Sequence, residues 1–390
     1  MKVTISDAVK YIGVDDKDIR LFESQYVVPE GISYNSYVIL DDKVAVMDTV
    51  DPRATDEWKR NLVEALEGRK VDYLVISHME PDHSGSIMEF LKMYPDATLV
   101  GNAKTFTFLA QFVDADVEAM NKLVVKEGET LSLGNHELTF LMAPMVHWPE
   151  VMVSYEAKEK ILFSADGFGK FGALELTADA DWTCEARRYY FNIVGKYGVS
   201  VQQLLKKAAT KDIAMICPLH GPILTENLTY YLETYDTWSS YTPENKGVLI
   251  ACASIHGNTM KAAKRLGEML TKLGVEKVVV SDLAREDMAE VIEDAFRYDR
   301  MILCGASYDG GVFPCMQDFL QHLQAKAYQK RTVGILENGT WAPTAGKTMK
   351  AALETMKEIV IVEPMVTIKS SMKESDLVAM NELATAIANS

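Results

Sequence analysis

Short apolar runs alternate with polar and helix-spaced segments along this chain, and the rhythm changes near residue 245. Turn-forming residues gather over 239–246, and we expect a domain boundary there, giving domains over 1–245 and 246–390. Downstream, strands are expected near 247–253, 277–281, 301–305, 332–336 and 359–367, with amphipathic helices between and after them. Such strand-helix units predict a parallel, doubly wound sheet with ligands gathered at the carboxyl ends of its strands. Upstream, the pattern predicts a strand near 43–48, a helix near 55–67, a strand over 71–77 and a long helical region over 182–209. That half reads as α/β, with sheets sandwiched between helices.

In the first half, apolar runs end repeatedly on metal-binding side chains. The run over 71–77 opens into His78-Met79-Glu80-Pro81-Asp82-His83, which places His78, Glu80, Asp82 and His83 in one tight loop. His147, Asp166 and His220 each terminate a later run. Strands that end this way deliver imidazole and carboxylate donors to a sheet rim, where a metal is held rigidly and still meets substrate. One such histidine is ordinarily a hydrogen-bonded core residue. Four strand ends of this kind point to a metal centre, and up to seven ligands suit two metals with coordination room left over. His136 and His322 read as ordinary surface or capping histidines.

In the second half, Ser254-Ile255-His256-Gly257-Asn258-Thr259 lies between the first strand and a helix beginning near Met260. Gly257 permits a tight turn, and hydroxyls with backbone amides at a helix N-terminus make a phosphate cradle. Two glycine-rich loops follow the third and fourth strands. One carries Ser307, Tyr308, Asp309, Gly310 and Gly311, the other Asn338, Gly339, Thr340 and Trp341. Flat rings on loops beside a phosphate cradle suit a planar isoalloxazine. No Gly-x-Gly-x-x-Gly follows the first strand, which argues against a Rossmann dinucleotide site, and Gly346-Lys347-Thr348 follows the wrong strand for a P-loop.

Composition narrows the classes. The 390 residues are 48% hydrophobic, and charged residues interrupt every apolar run before the roughly 18 positions that a membrane span needs. The start shows no secretory pattern, so a cytoplasmic location is expected. Five cysteines, with no Cys-x-x-Cys pair, argue against a disulfide framework, a zinc ribbon or a cysteine-bound iron centre. The net charge of −16 speaks against nucleic acid as a partner. Residues 1–245 hold 23 basic and 38 acidic residues against 17 and 18 beyond, so −15 of that charge sits in the first part.

Together these residues carry a family resemblance that spans essentially the whole chain. The His-x-Glu-x-Asp-His loop with His147, Asp166 and His220, followed by the Ser-x-x-Gly-x-Thr turn, resembles a flavodiiron protein. The resemblance implies an N-terminal αββα metallo-β-lactamase-like sandwich fused to a C-terminal flavodoxin-like domain with a five-stranded parallel sheet. Carried over by residue, it implies that His78, Glu80 and His147 bind one iron, Asp82 and His220 the other, and that Asp166 bridges them. His83 is a further candidate ligand, since the corresponding histidine is not bound in every member. Asp48 resembles an acidic position of the wider fold and is either an orienter of a ligand histidine or an ordinary surface residue.

The implied cofactors are FMN and two iron ions, and the implied activity is reduction of dioxygen to water or of nitric oxide to nitrous oxide. Two observations agree with iron. Hydrolytic relatives usually carry histidine where this chain has Glu80, and a harder oxygen donor favours iron or manganese. Zinc also has no redox chemistry to share with a flavin. The resemblance further implies a head-to-tail homodimer or a dimer of dimers, neither membrane nor nucleic acid as partner, and a separate electron donor such as rubredoxin or a reduced deazaflavin. The competing readings are a metallo-β-lactamase-fold hydrolase with an accessory ligand-binding domain, and an electron carrier whose metal site is structural.

Overall fold

The strands Val44–Met47, Tyr73–Val75 and Thr98–Gly101 are buried almost throughout, as parallel strands covered on both faces must be. In the computed structural model, which describes residues 5–390, they form the centre of a six-stranded sheet. Its order is Val9–Tyr11, Tyr37–Leu40, Val44–Met47, Tyr73–Val75, Thr98–Gly101 and Lys122–Val124. A five-stranded sheet runs Thr130–Ser132, Glu137–Met142, Met152–Glu156, Ile161–Phe163 and Met215–Cys217. Tyr37, Met47 and Val75 of the first sheet pack against Phe140, Met152 and Phe163 of the second, which closes one apolar core between them. The helices Thr55–Leu66 and Ala103–Phe112 cover the first sheet and Gly198–Ala208 covers the second, giving the expected αββα sandwich.

The helical region expected over 182–209 is broken. The α-helices Trp182–Tyr189 and Gly198–Ala208 are joined by a π-helical turn, Tyr190–Val194, and a 3-10 turn, Gly195–Tyr197. Tertiary packing overrides helix propensity here, because the Phe191 ring stacks on Phe296 at 4.4 Å. Residues up to Tyr190 with Tyr197–Asp236 form one compact unit, and Phe191–Lys196 with Thr237–Ser390 form the other.

The second unit is a parallel sheet in the order Val278–Asp282, Asn245–Ala253, Tyr298–Tyr308, Arg331–Asn338 and Ile359–Ile361, the 2-1-3-4-5 arrangement of flavodoxin-like folds. One face packs Ile250, Ile302 and Leu336 under Leu266 and Leu270 of the helix Asn258–Lys272 and Leu383 and Ile387 of Leu377–Ala388. The strand expected over 359–367 is split into Ile359–Ile361 and Val366–Ile368, which pair with different parts of Arg331–Asn338. Pro364 lies between them and has no N–H for a ladder. All five cysteines are free thiols. Among the described residues no helix is long and apolar enough to cross a membrane.

His136 is not a surface residue. It is buried, and its backbone N–H and Nδ1 both bond to Asp41 Oδ2, at 2.6 and 2.8 Å. Burial alone would raise the Asp41 carboxyl, but hydrogen bonds from Asn135, His136 and the Asp42 amide outweigh it and hold the group below the usual carboxylate range. A depressed carboxylate stabilises the fold above its unfolded pKa of about 3.9, and that contribution is lost as pH falls through the folded value. Asp41→Asn is therefore expected to lower the urea midpoint at neutral pH, with the gap to the unsubstituted protein closing in acid. A gap that is constant with pH would contradict the assignment.

Candidate functional site

Each candidate ligand leaves the carboxyl end of a strand or the loop that follows one. His78 comes three residues after Tyr73–Val75, Asp166 three after Ile161–Phe163, and His220 three after Met215–Cys217. His147 sits in the loop between Glu137–Met142 and Met152–Glu156. Pro81 opens a one-turn helix, Pro81–Ser84, directly after Glu80, at the helical position where its missing N–H costs nothing. The turn separates the loop's ligands into two sets. His78 and Glu80 join His147 and Asp166, while Asp82 and His83 join His220, and the ligand atoms within each set lie within 4.8 Å of one another.

Asp166 stands between the two sets. Its Oδ2 is 3.4 Å from His78 Nε2 and 3.5 Å from His147 Nε2, and its Oδ1 is 3.2 Å from His83 Nε2 and 3.7 Å from His220 Nε2. On the first side, Glu80 Oε2 is 3.2 Å from His78 Nε2 and 2.9 Å from His147 Nε2. On the second, Asp82 Oδ2 is 3.3 Å from His83 Nε2 and 3.2 Å from His220 Nε2. Burial by itself would raise the Asp166 carboxyl, but the surrounding imidazoles, His78 first, hold it well below the carboxylate range.

The donor atoms aimed at this centre are left over by the protein's own bonding. Both carboxylate oxygens of Asp82 and of Asp166, both ring nitrogens of His83, and Nε2 of His220 are buried without a hydrogen-bond partner. Native interiors leave such groups few and scattered. Seven in one cluster, carboxylate facing imidazole, fit a pair of cations. Their chemistry, with Glu80 and two aspartates among four histidines, suits iron or manganese better than an all-imidazole set would.

The outer partners fix the rings. His220 Nδ1 donates to the Ser33 carbonyl at 2.7 Å, which leaves Nε2 for the centre. Asn35 Nδ2 donates to the carbonyls of Pro218 and Gly221, and Tyr37 Oη to that of Pro218, so the loop carrying His220 is tied to the first sheet. His78 Nδ1 donates to Glu150 Oε1 at 2.7 Å, and Met79 N–H donates to the same oxygen at 2.9 Å. The sequence reading missed Glu150. Its signal was a lone acid just before the apolar run over 151–153, close after His147.

Asp48 is not the surface residue considered for it, and it bonds to no ligand imidazole directly. It is buried, and its Oδ1 accepts the Ser77 N–H at 2.7 Å, so it holds the backbone that leads into His78. Burial pushes its carboxyl up to about 6, against the Ser77 hydrogen bond and the charges of His83 and His78.

In the second unit, the expected flavin residues lie on three loops at the carboxyl ends of Asn245–Ala253, Tyr298–Tyr308 and Arg331–Asn338. The first two of these strands flank the point where strand order reverses, which is where ligands bind in open α/β sheets. Gly257 takes φ +86, and a Cβ built on it would meet nothing within 4 Å, so the turn ahead of Asn258–Lys272 is open to an anion. Ser254 Oγ accepts the Gly257 N–H at 3.0 Å, and Thr259 is buried with Oγ1 accepting from Asn338 Nδ2 at 3.3 Å. His256 is exposed in the same turn.

The other two loops divide between scaffolding and display. Ser307 Oγ is taken up by the amides of Thr344 and Ala345 at the start of Ala345–Leu353, and Thr340 Oγ1 bonds Ser370 Oγ at 2.7 Å. Asn338 is likewise held by the Ser370 backbone. Asp309 and Gly310 both have positive φ, at 46 and 74, in the tight turn that leads into Gly311. Gly339 packs under Pro343 and Ser307. Trp341 is 90% exposed and Tyr308 45%, so two rings stand out beside the cradle. An open turn at a helix N-terminus flanked by exposed aromatics fits FMN.

Residues 32–221 match the family model described as "ODP family beta lactamase". The chain is 31% identical to the nitric oxide reductase of Moorella thermoacetica, over 99% of this chain and 98% of that protein. It is 26% identical to the anaerobic nitric oxide reductase flavorubredoxin of Escherichia coli, over 91% of this chain and 75% of that one. Its fold superposes on the rubredoxin oxygen:oxidoreductase of Desulfovibrio gigas with TM-score 0.91 and 26% identity, covering 100% of this chain and 98% of that one. A sandwich with two facing ligand sets and a flavodoxin-like unit with an open anion turn, shared at this identity over nearly full length, make the chain a member of the flavodiiron protein family.

Proposed function

We propose that this chain is a flavodiiron oxidoreductase, with FMN on the loops of the second unit and two irons in the first, that reduces dioxygen to water, nitric oxide to nitrous oxide, or both. The observation that carries the reading is Asp166, whose two oxygens are buried without a hydrogen-bond partner and each face a different set of donors. Bound FMN supplies electrons, and adjacent metals supply two open positions for a diatomic oxidant. His78, Glu80 and His147 would hold one iron, Asp82, His83 and His220 the other, and Asp166 both. Glu150 and the Ser33 carbonyl keep the His78 and His220 rings turned toward the metals. The turn over 254–259 would hold the FMN phosphate, with backbone amides of the 307–311 and 338–341 loops and the rings of Tyr308 and Trp341 around the isoalloxazine.

The hydrolase reading is the weaker one. The relatives named above are reductases, and a hydrolase has no use for the open anion turn and exposed rings of the second unit. Head-to-tail pairing of two subunits, a separate small redox protein or reduced deazaflavin as donor, and a cytoplasmic location complete the proposal. The test is direct. Protein loaded with iron and FMN and reduced with dithionite is expected to consume dioxygen or nitric oxide, and to leave thioester and lactam substrates intact. Hydrolysis without gas consumption would reverse the choice.

A further inference from the structure

Two helices of the first unit present a run of easily oxidised rings that starts at the metal centre and ends at the surface. The Tyr189 ring, at the end of Trp182–Tyr189, lies 5.6 Å from the imidazole of His220. Tyr190 follows it in the chain, and the Tyr190 ring meets Tyr235 at 5.1 Å. Tyr235 stands 6.3 Å from Trp182, Trp182 stands 4.8 Å from Tyr231, and Tyr231 stands 5.4 Å from Tyr230. These are centroid separations of rings in contact. Tyr231 and Tyr235 share one face of the helix Leu228–Ser239, four positions apart. The first four rings are buried, Tyr231 is half-buried and Tyr230 is 39% exposed. The run is tied to the centre a second time through Phe168, two residues past Asp166. Phe168 N–H donates to Tyr235 Oη at 2.6 Å, and Trp182 Nε1–H donates to the Phe168 carbonyl at 3.2 Å. Beside His78 and His147 the rings are Trp148 and then Phe108 and Phe112, and a benzene ring resists the oxidation that phenols and indoles undergo.

Resting on the diiron reading above, we propose that Tyr189, Tyr190, Tyr235, Trp182, Tyr231 and Tyr230 carry an oxidising equivalent from the metal centre to solvent when the protein meets dioxygen with too few electrons. Dioxygen takes four electrons and four protons to become two waters. A chain that holds only two electrons stops halfway, and the oxidant left at the centre would attack the nearest side chains. Two phenols supply the balance. Each loses one electron and its proton to become a neutral tyrosyl, and the other two protons come from solvent. The vacancy passes from ring to ring, filled each time by an electron from the next, until it rests on Tyr231 or Tyr230. There a dissolved one-electron reductant, such as a thiol, returns the electron and water returns the proton. Gas reduction with a full complement of electrons does not use the run.

The experiment mixes iron- and FMN-loaded protein, reduced with dithionite to two electrons per chain, with excess dioxygen and a nitroso spin trap, and iron is counted in each sample. Electron paramagnetic resonance follows the radical, ring-deuterated tyrosine in the protein separates tyrosyl from flavin signals, and mass spectrometry maps the trap. The expected result is a signal that changes on deuteration, with the trap on Tyr230 and Tyr231 but not on Tyr94, which is half-buried and outside the run. Trp182→Phe keeps a ring but interrupts the run, and is expected to retain iron and to abolish trapping at Tyr230 and Tyr231. An iron-loaded protein that gives no tyrosine-derived signal, that traps Tyr94 as heavily as Tyr231, or that keeps its Tyr230 and Tyr231 adducts in W182F overturns the inference and leaves the diiron reading intact. An unsubstituted protein without iron overturns both. If Trp182→Phe loses iron, the double variant Tyr230→Phe, Tyr231→Phe decides. It is expected to keep iron and to hold a tyrosyl signal that outlives the unsubstituted protein's in the presence of a thiol, and an unchanged lifetime overturns the inference.

Discussion

Asp166→Ala empties the metal centre and leaves the flavin in place. The side chain is buried, and its two oxygens are the one group shared by both donor sets, so its removal takes a ligand from each metal at once. Losing an outer hydrogen-bond partner of a ligand ordinarily costs about 10–100-fold in metal affinity. Losing a carboxylate common to two metals is expected to cost more than about 100-fold, because the four histidines then face each other with less negative charge to balance two cations. The FMN loops belong to the other compact unit. Elemental analysis with visible absorbance checks this, and loss of iron with full retention of FMN is the expected pair of results. Simultaneous loss of both cofactors would show that the substitution unfolds the chain.

The reciprocal experiment is Gly257→Val, which is expected to cost the flavin and spare the iron. At φ +86 a β-branched residue is strained by about 1–2 kcal/mol. A Cβ there meets no protein atom, so the added group enters the open space of the turn rather than the core. Strain and obstruction together predict at least about a tenfold loss of FMN affinity, measured by fluorescence titration of the apoprotein. Unchanged affinity would move the phosphate away from this turn. The two variants also test the proposed pairing. If flavin and irons cooperate across subunits, a mixed population of Asp166→Ala and Gly257→Val chains regains gas reduction that neither has alone. If cooperation is within one chain, mixing restores nothing.

What could be read from the sequence followed from how locally each feature is encoded. His78, Asp166 and His220 were legible because each closes an apolar run, so strand and ligand are written side by side. The 2-1-3-4-5 sheet was legible for the same reason, from strand-helix units repeating in order. Glu150 was not, because its meaning depends on the loop over 148–150 meeting His78, 72 residues earlier in the chain. Asp48 stayed open between two readings on similar grounds, since its partner is a backbone amide that no side-chain pattern reports. His136 read as a surface or capping residue because its partner Asp41 lies 95 positions earlier in the chain. The break over 190–197 depends on Phe191 finding Phe296, a contact that outweighs a continuous helical pattern.

The most direct measurement is the metal and flavin content of the protein expressed with iron supplied. The account predicts about two irons and about one FMN per chain, and a yellow protein when oxidised. Zinc in the same site with no bound flavin would contradict it, and would return the hydrolase reading to first place.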